Sequence, residues 1–81
     1  MRRVNRSLQV VMRRDRRPER FYWNQKWLRV ISIVDEWCET GEWWRGEGER
    51  HVFTVLTDNH GLYELCCDGH GDAWRLTKIF D

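Results

Sequence analysis

Apolar and polar positions alternate with a period of two along most of this chain, and that period marks extended strands. Leu8, Val10 and Met12 alternate with Gln9 and Val11. Phe21 and Trp23 flank Tyr22. Trp27 to Val34 is the longest β-branched stretch, with Leu28, Val30 and Val34 on one side and Trp27, Ile31 and Ile33 on the other. Apolar residues on both faces suit a central strand, or one bent round a barrel. Phe53 and Val55 alternate with Thr54 and Leu56; Tyr63, Leu65 and Cys67 alternate with Glu64 and Cys66; Trp74, Leu76 and Phe80 share a parity.

Turn residues separate these runs. Pro18 closes a polar stretch from Arg13 to Arg17 and biases Arg17 towards an extended backbone. Asn24-Gln25 reads as a two-residue hairpin turn, although Gln25 stands where such turns favour glycine, and a three-residue loop competes with it. Asp58-Asn59-His60-Gly61 and Asp68-Gly69-His70-Gly71 are turns by composition. Between Asp35 and Glu39 the spacing of Val34, Trp37 and Cys38 also admits one short helical turn, which Gly41 would end; Gly46 and Gly48 bracket a loop. Six short strands at close intervals predict an all-β domain, a small antiparallel barrel of the SH3-like or OB-like kind. Residues 1–7 read as a flexible basic arm and residues 8–81 as the single β domain.

Eighty-one residues hold one core, and a chain this short needs a staple or unusually large apolar groups. Sulfur is not the staple. Cys38, Cys66 and Cys67 are odd in number and two are adjacent, so no disulfide framework follows, and reduced thiols suit the cytoplasm. Five of the six tryptophans fall between Phe21 and Arg45: Trp23, Trp27, Trp37, Trp43 and Trp44. Buried together they would remove on the order of 1,000 Å² from water, roughly 25 kcal/mol gross. The expectation is that these indoles build the core. No apolar run suits a signal peptide or a membrane span, so the expected setting is cytoplasmic with no membrane partner.

Charge is near balance overall but uneven along the chain. Eight arginines precede Phe21, opposed by Asp15 and Glu19, whereas Asp35, Glu36, Glu39, Glu42, Glu47 and Glu49 are opposed by Arg45. The clusters Arg2-Arg3, Arg13-Arg14 and Arg16-Arg17, with Arg20, are candidates for phosphate contacts. The bland alternative is a solubilising tail, or an arm folded onto the acidic loop. In Glu42-Trp43-Trp44-Arg45-Gly46-Glu47, adjacent indoles on an extended chain point to opposite faces. One of them, with Arg45, would stack a base or anchor a protein partner. Packing of both against the barrel end is the competing reading, and the flanking acids disfavour phosphate.

Chemistry is thin. Cys67 and His70 have a zinc-like spacing but no second close pair completes a tetrahedral set, so a small zinc-binding domain is an alternative and the expectation is no metal and no cofactor. Turn chemistry accounts for Asp58, His60, Asp68 and His70 without a reaction. No phosphate loop and no nucleophile elbow is present, so the chain reads as a non-enzyme.

A specific pattern remains. Pro18, Phe21, Trp23, Trp27 and Val30 are followed by Asp35-Glu36-Trp37, by Gly41-Glu42-Trp43-Trp44-Arg45-Gly46-Glu47, and by Arg50, Phe53 and Val55; Tyr63-Glu64-Leu65 and Ile79-Phe80-Asp81 extend it. This pattern resembles a small, uncharacterised bacterial domain family found alone or appended to proteins related to error-prone Y-family polymerases in damage-inducible mutagenesis cassettes. The tryptophan-rich loop is its specific part. The chain departs from it in lacking glycine at Asn24-Gln25 and in carrying Trp27 where tyrosine is commoner. The resemblance brings no catalytic residue. It implies an accessory module of DNA damage tolerance, with a Y-family polymerase-like protein, DNA, or both as partners. Site residues on that reading are Arg13, Arg14, Arg16, Arg17, Arg20 and Arg45 for nucleic acid, and Trp43, Trp44 and Arg45 for a protein. A homodimer formed through an unpaired edge strand, without nucleic-acid binding, is the alternative.

Overall fold

The structure, a computed structural model, describes residues 1–40, 49–68 and 73–80. Its strands are β1 (Arg2–Met12), β2 (Pro18–Trp23), β3 (Lys26–Thr40), β4 (Glu49–Thr57), β5 (Leu62–Asp68) and β6 (Trp74–Phe80). Each pairs antiparallel with the next, and β1 with β6, which closes an all-β barrel. The alternation and turn spacing thus lead to the expected fold. No helix among the described residues is long and apolar enough to cross a membrane.

Two long strands make closure possible. β1 pairs with β6 over Arg2–Leu8 and with β2 over Gln9–Met12. β3 pairs with β2 over Lys26–Arg29 and with β4 from Val30 to Thr40. Each therefore serves a three-stranded sheet, β1–β2–β3, at one part of its length and a five-stranded sheet, β1–β6–β5–β4–β3, at the other. The corner in β3 is made by register shifts between Val30 and Ser32 and between Ile33 and Asp35, where one extra residue bends the strand.

Those shifts correct the face assignment expected for this strand. Leu28 is buried, and Val30 and Ile33 pack on the core, while Ile31 and Val34 are thrown outward at 57% and 59% exposure. A bulge inserts a residue without turning its neighbours over, so parity changes where simple alternation keeps it. The helical turn over Asp35–Glu39 is likewise corrected: these residues continue β3, paired in unbroken register from Glu36 opposite Phe53 to Thr40 opposite Glu49. Pairing with β4 satisfies backbone groups that an isolated turn would leave to water.

The flexible arm over residues 1–7 is also corrected. Arg2 lies opposite Ile79 and Arg6 opposite Leu76. Val4 and Leu8 pack against the core and hold this half of β1 down. In β6, the shift between Glu64 and Leu65 places Ile79, not Phe80, among the core residues beside Trp74 and Leu76.

Aliphatic and phenyl groups dominate the centre, not the five expected indoles. Phe21, Leu28, Val55, Leu65 and Leu76 are essentially fully buried, joined by Phe53, Tyr63, Cys67, Trp74 and Ile79. Each fully buried side chain of this kind is worth about 1.5–3 kcal/mol. The one deeply buried tryptophan among the described residues is Trp74, outside the stretch singled out in the sequence. Trp23 and Trp37 are half-buried, Trp27 is 47% exposed, and Trp43 and Trp44 lie outside the described residues. Rings meet in the core at different angles, 74° for Phe21 with Tyr63 and 31° for Phe53 with Trp74. Phe21 meets Tyr63 edge-on at 5.5 Å and Phe53 tilts over Trp74 at 5.6 Å.

Two turns fix the hairpins. Asn24 and Gln25 both take positive φ, 54° and 66°, between paired Trp23 and Lys26, which is the two-residue type I′ turn. In the β4–β5 turn His60 sits at φ 64°. Buried Thr57 hydrogen-bonds through Oγ1 to Asn59 and to the Gly61 carbonyl, and the Asn59 amide donates to Tyr63 Oη at 3.3 Å. Gly61 is required by space: a Cβ there would lie 2.7 Å from Tyr63 Cε2.

Candidate nucleic-acid interface

The outer face of β1–β2–β3 carries side chains whose register can be read across three strands. Gln9 lies opposite Tyr22, and Tyr22 opposite Trp27. Val11 lies opposite Arg20, and Arg20 opposite Arg29. Directly opposed residues share a face. A row of Gln9, Tyr22 and Trp27 therefore runs beside a row of Val11, Arg20 and Arg29, about 6.6–6.8 Å away along the strands.

Local sequence explains why these groups face out. Phe21 and Leu28 are opposite each other and buried, which turns their neighbours Arg20, Tyr22, Trp27 and Arg29 to solvent. Tyr22 and Trp27 are 40% and 47% exposed and meet edge-on at 5.5 Å. The Arg20 guanidinium sits over the Trp27 ring, 5.5 Å from its centroid. Neither Arg20 nor Arg29 forms an ion pair among the described residues. Asp58 approaches Arg29 only at the backbone, taking its N–H at 3.4 Å.

The β1–β2 turn brings the other sequence-singled arginines together, but two of them are spent on local acids. Asp15 Oδ2 lies 3.5 Å from Arg13 and 3.4 Å from Arg17, and Arg17 Nε donates to Glu36 Oε1 at 3.1 Å. Desolvation pushes the Asp15 carboxyl up, but the Arg17 backbone N–H and the guanidinium groups of Arg13 and Arg17 outweigh it and leave the carboxyl below its ordinary value. Arg14 and Arg16 are exposed, and Arg16 is held at φ 65°. Of the six arginines expected to meet nucleic acid, Arg20 lies in the aromatic face, four lie in the turn at its end, and Arg45 is outside the described residues together with the Trp43–Trp44 anchor.

Tyr22, Trp27 and Arg29 are not among the candidate site residues expected from the sequence, which places Trp27 in the core on its mass. Parity sets Tyr22 and Trp27 on the face opposite Phe21 and Leu28, but alternation alone does not say which of the two faces is wet.

Other chemistry-bearing groups lie elsewhere. His51 Nδ1 is 3.2 Å from the exposed Cys38 Sγ. Cys66 and Cys67 are buried free thiols. Burial raises the Cys66 pKa against the influence of Arg50, and raises that of Cys67 to about 11, with Cys66 and Asp68 adding to it. His70, the partner of Cys67 in the zinc spacing, is outside the described residues; among those described, no cluster of three His, Cys, Asp or Glu is placed to hold a metal ion. An open groove of about 620 Å³ on the five-stranded sheet is lined by Arg3, Arg50, Lys78, Glu39, Glu64 and Cys66, among others. Its buried acid is already satisfied, since Glu64 accepts from Thr77 Oγ1 at 2.7 Å and faces Lys78 Nζ at 3.7 Å.

The family described as "Domain of unknown function (DUF6504)" matches residues 1–81, so the chain belongs to that family. No curated protein and no solved structure matches it.

Proposed function

We propose that the domain is a non-enzymatic binding module that takes up DNA on the outer face of β1–β2–β3, as an accessory component of DNA damage tolerance. The observation that carries this reading is the direct opposition of Arg20 and Arg29 beside two exposed rings. Like charges directly across a sheet destabilise it. A bound phosphate between them would relieve that repulsion. Arg14 and Arg16 in the adjoining turn add attraction at longer range. The setting in damage tolerance draws on the resemblance of the Pro18–Val55 string to domains appended to Y-family polymerase-like proteins.

Fluorescence anisotropy of labelled DNA, read at several salt concentrations, tests the reading. Affinity should fall steeply with salt, and Arg20→Ala with Arg29→Ala should flatten the log–log slope by roughly 0.7–0.9 for each phosphate contact removed. Absence of binding at low salt would sink it.

A protein partner is favoured by a separate observation. Ile31 and Val34, pushed outward by the bulges, are more than half exposed, and Val34 lines a shallow hollow with Asp35, Glu36, Arg13 and Arg17. Exposed apolar groups of this kind suit a polypeptide surface better than a phosphate chain. Ile31→Glu with Val34→Glu should abolish co-purification with the polymerase-like protein and spare DNA binding; retention of the complex would remove this second surface.

A further inference from the structure

We infer that the DNA taken up is an unpaired strand, laid across β1, β2 and β3 with its bases on the Gln9–Tyr22–Trp27 row and its phosphates on the Arg20–Arg29 row. The inference rests on the DNA reading and goes beyond it by naming the state of the strand and the contact made by each row.

The two rows divide the labour that a single strand requires. One is aromatic and bears an amide; the other is cationic. They are parallel and two residues apart, about 6.6–6.8 Å, so one nucleotide bridges them with its base on one row and its phosphate on the other. Neighbouring rings sit on adjacent strands, about 4.7–4.9 Å apart in backbone spacing, and so offer successive platforms to successive bases. Tyr22 and Trp27 do not stack flat on each other; their edge-on contact at 5.5 Å leaves ring faces for other partners. Arg20 covers one side of Trp27 and holds the ring in place. Gln9, at the end of the row beside Tyr22, brings one amide that both donates and accepts, as base edges do.

A duplex uses only half of this surface. Its bases are stacked on one another and show edges in the grooves, so rings lying on a sheet face reach none of their π-surfaces. A duplex would satisfy Arg20 and Arg29 and leave Tyr22 and Trp27 idle.

The test compares three labelled probes of about 12 nucleotides on the full chain at low salt: oligo-dT, a mixed-sequence duplex, and an abasic strand with the same phosphates. Oligo-dT should bind at least about tenfold more tightly than either of the others. Tyr22→Ala and Trp27→Ala should each weaken oligo-dT about tenfold, leave the abasic strand unaffected, and keep the salt slope unchanged. Tyr22→Phe and Trp27→Phe, which retain a ring, should restore most of the affinity, which separates lost stacking from a damaged fold. A duplex or an abasic strand bound as tightly as oligo-dT would overturn the inference and leave the DNA reading standing. Failure of all three probes would remove both. An oligo-U arm checks the sugar: tighter binding of RNA than of oligo-dT would overturn the choice of DNA.

Discussion

β5 and the β2–β3 hairpin belong to one barrel, yet they use large side chains in opposite ways. From Tyr63 to Cys67 every residue of β5 is buried, those facing outward included. Along β2 and the start of β3 only Phe21 and Leu28 lie in the centre beside Pro18, while Tyr22 and Trp27 remain half in water. β5 spends its bulk on cohesion. The hairpin holds itself down with two side chains and keeps its broadest surfaces free. The lesson is that cohesion and exposed aromatic surface are drawn from different strands, so each can be altered without the other.

Substitutions can break that separation or sharpen it. The largest effect is expected at the centre. Leu65→Ala removes a fully buried side chain from β5 and should cost about 2–5 kcal/mol in urea unfolding. A loss under about 1 kcal/mol would mean that β5 is not where cohesion resides. Gly61→Ala comes next, because the new methyl meets the Tyr63 ring and hydroxyl; about 1–3 kcal/mol should be lost by the same assay. On the hairpin, Trp27→Ala should cost only about 0.5–1.5 kcal/mol, the worth of its edge-on contact with Tyr22. A drop as large as that of Leu65→Ala would show that the exposed ring is a structural member after all. Gln25→Gly should raise the thermal midpoint slightly, by less than about 1 kcal/mol in equivalent stability, since glycine takes φ 66° without strain.

The last effect is nil at neutral pH. Burial lifts the Cys67 thiol from its ordinary 9.0 to about 11, so the folded chain keeps this proton when the unfolded chain has lost it. Stability from this group is complete below pH 9.0 and is lost as the pH rises towards about 11. Cys67→Ala should flatten that alkaline decline in a series of thermal melts. An unchanged decline would place its origin elsewhere.

Much of the barrel was legible in the residues, and the reasons for the rest are physical. Alternation marked the strands, and Asn24-Gln25 marked its turn even without glycine, because asparagine tolerates the left-handed region and the flanking pair Trp23–Lys26 closes it. Bulges left no such trace. One inserted residue at Ile31 or Val34 looks like ordinary β-branched sequence, yet it decides which face is wet. The length of β1 was hidden for a different reason: Arg2, Arg3 and Arg6 mask the first half of a strand, whose hold on the core there comes from Val4 and Leu8. Within the candidate site, Arg20 was legible from charge. Tyr22 and Trp27 were not, since alternation reports two faces without saying which one meets the core.

The bend in β3 has an evolutionary corollary. Removing Ile31 alone would leave Val30, Ser32 and Ile33 pointing where they point now, because the extra residue lies outside the alternation. The chain would keep its inside and outside but lose part of the kink that hands β3 from one sheet to the other. Curvature and patterning are thus written at separate positions, so relatives that differ by one deletion here would share a core yet enclose it in a differently shaped wall.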